Sequence, residues 1–442
     1  MRVDDNNLSG RRAADEIRDD PVVLRFSSPA LDIEAGREKA VTEIYRHVRD
    51  GRKVVAVVPS DHQAAALLLA KECEAVGLEA AAFSGAGGDV LPETFARDVA
   101  IVAGRLAHDK NEPPARAARA KKHRVAIAGL GLIGGGVARR LTRDDPDYVF
   151  CAALVREPFK DRAPLAADQV TNDLGAFLAA RPDIVIDALP DGSAGRALIK
   201  AALARGVSVI TANKQAIAGA MADLTALADR SGATFAYCAS VGGGAPFIET
   251  VERVREAGVV KSIEAVLNGT VNYILTALAA GVRFDAAVRA AQDAGFAEPD
   301  PSADLSGVDA RAKISILSFA AFGEEIDPGR IGIEALDAAK AARFAQDGGR
   351  WKQVARLEKS AAGLTASLRF ERRDDDALFA GALWEANALR LRLVDGRVVE
   401  CRGKGAGRRP TVESILGDLG AIGRRGETAR APAALPREAV SA

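Results

Sequence analysis

The chain has 442 residues, 48% of them hydrophobic and 5% aromatic, with 60 basic residues balanced by 60 acidic ones. That balance leaves no net field to draw the protein to nucleic acid or a membrane surface, and no run reaches the roughly 18 apolar residues of a membrane helix. The start, MRVDDNNLSG, is too polar for a signal peptide, and Cys73, Cys151, Cys238 and Cys401 form no CxxC pair, which points to reduced thiols in a cytoplasmic protein.

Residues 1–20 are charged and are expected to be disordered. From 21 to 108 apolar strands (21–26, 52–60, 78–83) alternate with helical stretches (33–51, 62–77), the pattern of a small α/β layer. Residues 109–122, DKNEPPARAARAKK, read as a linker.

A fresh strand, RVAIAGLG, then runs into Gly129-Leu130-Gly131-Leu132-Ile133-Gly134 and a helix. Gly129 permits the tight turn, Gly131 lets backbone approach a pyrophosphate, and Gly134 lets helix pack on strand; the free N–H groups around Leu132 and Ile133 would hold phosphate. The strand–turn–helix context makes this a dinucleotide site. The second strand, 148–155, ends at Arg156, where an acid would grip the ribose 2′-hydroxyl of NAD; an arginine suits the 2′-phosphate of NADP, and NAD stays open. Further strands at 183–190, 207–214 and 234–240 with helices between them predict a doubly wound parallel sheet.

Lys214 closes the strand at 207–214, on the side where such sheets bind ligands. Ser240-Val241-Gly242-Gly243-Gly244-Ala245-Pro246 follows, a glycine loop able to meet a small ligand or ion. All four histidines, His47, His62, His108 and His123, precede the glycine turn, so acid–base work beyond it falls to Lys, Asp, Glu or Tyr. The segment 298–313, EPDPSADLSGVDARAK, crowds Glu298, Asp300, Asp304 and Asp309 ahead of Lys313. Asp309 and Lys313 are four apart on the helix that begins there and share a face. Strand-like runs at 364–370 and 388–396 and a helix at 411–419 complete the ordered part.

Residues 123–422 resemble a homoserine dehydrogenase, on the motifs GLGLIGGG, TANK (211–214), SVGGGAP, LNGTVNYIL (267–275), AGFAEPDPSADLSGVDARAK (294–313) and GKGAGRRPT (403–411). Residues 21–108 are similar to the start of an aspartokinase, but Arg25-Phe26-Ser27-Ser28 lacks the lysine and glycines of that motif, so a remnant without activity is expected. The resemblance implies an α/β fold: a Rossmann domain (123–240), an α+β substrate and dimerisation domain (241–400), a return to the nucleotide domain (401–423) and a disordered tail (424–442). It implies interconversion of aspartate 4-semialdehyde and homoserine with NADP or NAD, in a homodimer. Lys313 would donate the proton to the developing alkoxide, and Lys214 would contact cofactor and the reacting carbonyl. Glu298 and Asp309 would bind substrate, and Asp304 would orient lysine and substrate. Gly295 and Gly405 would pass near the nicotinamide.

Two positions depart from the family. Phe296 stands where a tyrosine is common, and Cys238 replaces an acid of a sodium site whose other ligands would be the carbonyls of Val241, Gly243 and Ala245. These departures keep two other readings open, a dehydrogenase for another small amino or hydroxy acid and a catalytically silent nucleotide-binding paralogue.

Overall fold

The computed structural model describes residues 22–26, 34–50, 52–58, 63–78, 80–84, 99–103, 122–141, 147–160, 162 and 165–430. Residues 1–20, all of the 109–122 linker except Lys122, the Ser27-Ser28 pair and residues 431–442 lie outside them.

The N-terminal layer is a four-stranded parallel sheet in the order Val22–Arg25, Val54–Val58, Val99–Ala103, Ala80–Ser84, with the helices Glu34–Arg49 and Gln63–Ala75. Val99–Ala103 is a strand absent from the sequence reading. It lies between two others, and its apolar run VAIVA suits that inner place.

The second sheet is parallel throughout, in the order Val170–Thr171, Tyr148–Leu154, His123–Ala128, Ile184–Asp187, Ser208–Thr211, Phe235–Ala236. The chain order reverses at His123–Ala128, so a crevice opens beyond the carboxyl ends of His123–Ala128 and its neighbours, as expected for a doubly wound sheet. Three strands of this sheet end short of the sequence reading, and Ile184–Asp187 stops three residues before Pro190. Ser208–Thr211 ends three residues before Lys214, which instead opens the short helix Lys214–Ile217 capped by the Asn213 side chain. Phe235–Ala236 gives way to a 3-10 turn at Cys238–Ser240, because Ser240 and Val241 bond back to the carbonyls of Tyr237 and Cys238.

The third sheet is mixed, in the order Gly332–Ile333, Gly363–Arg372, Trp351–Ser360, Val260–Val266, Ala386–Leu393, Val398–Lys404, with only the first pair parallel. The helix Val308–Phe322 packs against this sheet at Trp351–Ser360 and against the helices Phe247–Ala257 and Lys214–Ile217. It is buried on nearly every side, with Ala310, Ile314, Ile316, Leu317 and Ala320 fully buried or nearly so and Asp309, Lys313, Ser315 and Ser318 buried among them, the mark of an interior helix. It therefore joins the mixed sheet to the helix that follows Ser208–Thr211 of the parallel sheet. The helix Arg408–Arg430 returns to pack on Leu132–Leu141 and on Glu34–Arg49; it runs on through 424–430, so the tail expected to be disordered from 424 is helical to Arg430. None of the described helices is long and apolar enough to cross a membrane.

Candidate active site

The glycine turn forms one wall of a cleft of about 690 Å³. Gly129 has φ +84°, and a Cβ there would lie 2.6 Å from the Ala188 carbonyl oxygen. A Cβ at Gly134 would sit 1.8 Å from the Gly129 oxygen, while one at Gly131 would meet nothing within 4 Å. Two glycines are thus required for close backbone approach, and the third faces the open cleft above the start of the helix Leu132–Leu141. These residues fit a pyrophosphate. Gly134→Ala should abolish nicotinamide-cofactor binding, since overlap with backbone has no cheap relief; a fluorescence titration with NADPH checks it, and wild-type affinity would overturn the assignment.

Arg156, Lys160 and Arg162 line the same cleft. Arg162 donates to the carbonyls of Glu157 (2.6 Å) and Lys160 (3.0 Å), which fixes this basic turn. Ala188, Leu189 and Pro190 form the floor. Beneath them Asp187 is fully buried, accepting from Leu189 N (3.1 Å) and Thr211 Oγ1 (3.0 Å), and burial pushes its carboxyl up to about 6.

Lys214 and Glu298 complete the cleft lining and lead to the acid–lysine cluster. Asp309 binds Lys313 Nζ through Oδ2 at 2.7 Å and Lys214 Nζ through Oδ1 at 2.9 Å. Lys313 also donates to the Leu267 carbonyl at 2.9 Å. Asp309 and Lys313 are each 8% exposed, so this is a buried bridge and not a solvated i,i+4 pair of the kind worth about 0.3–0.5 kcal/mol. Burial would raise the Asp309 carboxyl, but the two ammoniums overcome it and hold it well below the usual carboxylate range. Asp309 in turn raises Lys214, against burial.

Asn268 caps the helix Gly269–Ala279 by accepting from Val271 N at 2.8 Å. Its amide nitrogen donates to Asp304 Oδ1 at 2.8 Å and to Asp309 Oδ2 at 3.2 Å. Burial, then the nearby Asp309 charge, raise the Asp304 carboxyl. Phe296 stays close by, its carbonyl accepting from Thr270 Oγ1 at 2.7 Å and its ring centroid 5.5 Å from that of Tyr273.

The structure brings Lys313, Lys214, Asp309 and Asp304 into one network, with Glu298 exposed at the cleft lip. Gly295 and Gly405 are not among the cleft-lining residues. Gly295 follows the helix Phe284–Asp293 at φ +75°, and Gly405 is held so close to Asn387 that a Cβ would meet its side chain at 2.2 Å. Asn268 is not legible as a site residue from its spacing, since an asparagine directly before Gly-Thr and an apolar run signals only an N-cap. Lys160 and Arg162 are not legible either, because they meet Arg156 only through a folded turn.

The residues around Cys238 do not fit a sodium ion. The Ala245 carbonyl already accepts from Phe247 N at 2.8 Å, and the expected acid is absent. Instead a guanidinium lies there: Arg49 Nη2 is 3.7 Å from Cys238 Sγ and 3.0 Å from Asp418 Oδ1, with Nε 3.5 Å from Glu249 Oε1. Among the described residues no group of three or more His, Cys, Asp or Glu side chains could hold a metal ion.

Two family models match the chain, one described as the NAD-binding domain of homoserine dehydrogenase over residues 129–238 and one as homoserine dehydrogenase over 246–419. A relative named NAD(+)-dependent homoserine dehydrogenase, from Pseudomonas canavaninivorans, is 32% identical over 256 residues, covering 57% of this chain and 72% of its own. The homoserine dehydrogenase structure from Thiobacillus denitrificans aligns with TM-score 0.64 and 27% identity over 72% of this chain and 76% of that one. A hyperthermophilic archaeal homoserine dehydrogenase in complex with NADPH, at 23% identity, shares the fold with TM-score 0.59 over 69% of this chain and 98% of its own.

Proposed function

Because the chain belongs to the homoserine dehydrogenase family, we propose that it interconverts L-aspartate 4-semialdehyde and L-homoserine with a nicotinamide cofactor, using the cluster centred on Asp309. The family is that of an NAD(P)-dependent oxidoreductase, and neither the silent paralogue nor another substrate is favoured. The observation that carries the residue roles is the sharing of one buried carboxylate by two lysines at the edge of the dinucleotide cleft.

When bound, the nicotinamide supplies the hydride for aldehyde reduction and accepts it in the reverse direction. Reduction leaves an alkoxide that needs a proton. Lys313 is its donor in this reading, its ammonium held by Asp309 and the Leu267 carbonyl. Lys214, which faces both Asp309 and the cleft, stabilises charge on the reacting oxygen. Both Asp309 oxygens are engaged by lysines, so the α-ammonium of the substrate is best received by Glu298 and Asp304. Residues 123–240 hold cofactor and 241–400 hold substrate in the same reading, with 401–423 returning to the nucleotide domain. The test is NADP-linked oxidation of L-homoserine by purified protein, followed by NADPH absorbance; absence of turnover with intact NADPH binding would overturn it.

NADP is the proposed preference, supported by Arg156 with Lys160 and Arg162 at the cleft end. Arg156→Ala should raise the KM for NADPH by about 10- to 100-fold, the worth of one charge-assisted contact, and leave that for NADH unchanged. Equal changes for both cofactors would remove the arginine from the 2′-phosphate.

A cytoplasmic homodimer belongs to the same proposal. Its supports are the four cysteines, none in a disulfide, and the edge strand Val398–Lys404, which among the described residues pairs on one side only. Sedimentation of the purified protein decides the oligomeric state, and a monomer would overturn that part.

A further inference from the structure

We infer that Arg49 is a built-in cation of the dehydrogenase, brought in by the N-terminal layer to compensate buried carboxylates behind the glycine loop 240–246, so that turnover needs no monovalent metal ion. The inference rests on the reading of the chain as a homoserine dehydrogenase. Its basis is how the helix Glu34–Arg49 meets the rest of the molecule.

One stripe of that helix, Thr42, Tyr45 and Arg49, has the three- and four-residue spacing of a single face. Thr42 Oγ1 donates to Glu413 Oε2 at 2.7 Å, and the Tyr45 hydroxyl donates to the Gly244 carbonyl at 2.9 Å. Arg49, 8% exposed, reaches Asp418 and Glu249. The helix Arg408–Arg430 is shaped to admit it: a Cβ at Gly417 would lie 2.1 Å from Arg49 Nη1.

The carboxylates need this charge. The Glu249 carboxylate oxygens are buried and neither has a hydrogen-bond partner among the described residues, so the close compensation is the guanidinium at 3.5 Å. Asp418 is 2% exposed and spends its second oxygen on the Cys238 N–H at 3.2 Å. An uncompensated buried carboxylate is costly and would otherwise recruit a proton or a cation. Through Asp418 the guanidinium holds the Cys238 end of the loop, while Tyr45 holds Gly244. Gly244 N donates to Lys404 O at 3.1 Å, which ties the loop to the turn at 403–407. Arg49 is therefore a positioning residue, touching neither substrate nor cofactor.

The experiment compares wild type, Arg49→Ala and Arg49→Lys in choline, sodium, potassium or guanidinium salts at constant ionic strength. It reads kcat for homoserine oxidation, NADPH binding and Tm. Wild type and Arg49→Lys are expected to show the same kcat and Tm in choline, sodium and potassium, with guanidinium lowering the Tm of every variant as a denaturant. Arg49→Ala should lose about 10- to 100-fold in kcat through loop misplacement and roughly 3–5 °C in Tm, and sodium, potassium or guanidinium, but not choline, should restore part of kcat. Wild type or Arg49→Lys activated by sodium or potassium would overturn the inference. So would Arg49→Ala with wild-type kcat, or with losses that no cation relieves. Should Arg49→Ala fail to fold, the salt response of the other two proteins decides. A wild type that binds NADPH without oxidising homoserine refutes the activity alone, and the Tm responses then judge Arg49 separately.

Discussion

Lys313→Ala is expected to lower kcat for homoserine oxidation by about 10²–10⁴-fold, the range set by removal of a positioned proton-transfer group, while NADPH binding persists. The loss follows from replacement. Among the residues that converge on Asp309, Lys214 is the other cation, and it reaches the opposite carboxylate oxygen. Removing Lys313 leaves Lys214 in place, so the buried carboxylate keeps one ion pair and the protein should still fold. The cleft itself is lined by Lys214, Glu298 and the glycine turn but not by Lys313, which is why cofactor affinity should survive. Near-normal turnover by the alanine variant would remove Lys313 as donor. Loss of NADPH binding along with turnover would make its role structural.

Asp309→Ala should be the most destabilising single change in the site, by about 3–5 kcal/mol for breaking a buried ion pair from one side. It leaves two ammoniums on the same vacated position and takes an acceptor from Asn268. Thermal unfolding measures the loss, and a Tm within about 1 °C of wild type, roughly 1 kcal/mol for a chain of this size, would show that the bridge is not holding the structure. The sign with pH is fixed by the depressed carboxyl of Asp309. A lowered folded-state pKa gives stability that is fully present above the unfolded value of about 3.9 and is lost as pH falls through the folded value. Wild type and variant should therefore converge in strong acid and stay apart at neutral pH.

Local patterns made much of this legible. The strand His123–Ala128, the glycine turn and the i,i+4 spacing of Asp309 and Lys313 are readable because each depends on neighbours within a few residues. Only part of the mixed sheet is legible, since Val260–Val266 pairs with two strands roughly 90 residues or more further on, and nothing local marks such pairing. Asn268 lies within the motif LNGTVNYIL, yet its value comes from reaching Asp304 and Asp309 across 36 and 41 positions. Arg49 was illegible for the same reason in stronger form: its partner Asp418 is 369 positions away. The substitution at Cys238 could be read as a missing charge, but not as one supplied from elsewhere.

The helix Val308–Phe322 carries Lys313 near one end and, further along, Ser315, whose hydroxyl donates to Glu325 Oε1 at 3.0 Å. Glu325 in turn receives the backbone N–H groups of Gly219 (2.5 Å) and Met221 (2.8 Å), just past the short helix that Lys214 opens. Glu325 thus ties the segment that bears Lys214, in 123–240, to the helix that bears Lys313, in 241–400. A hinge motion between those halves would have to break these hydrogen bonds before the two lysines could part.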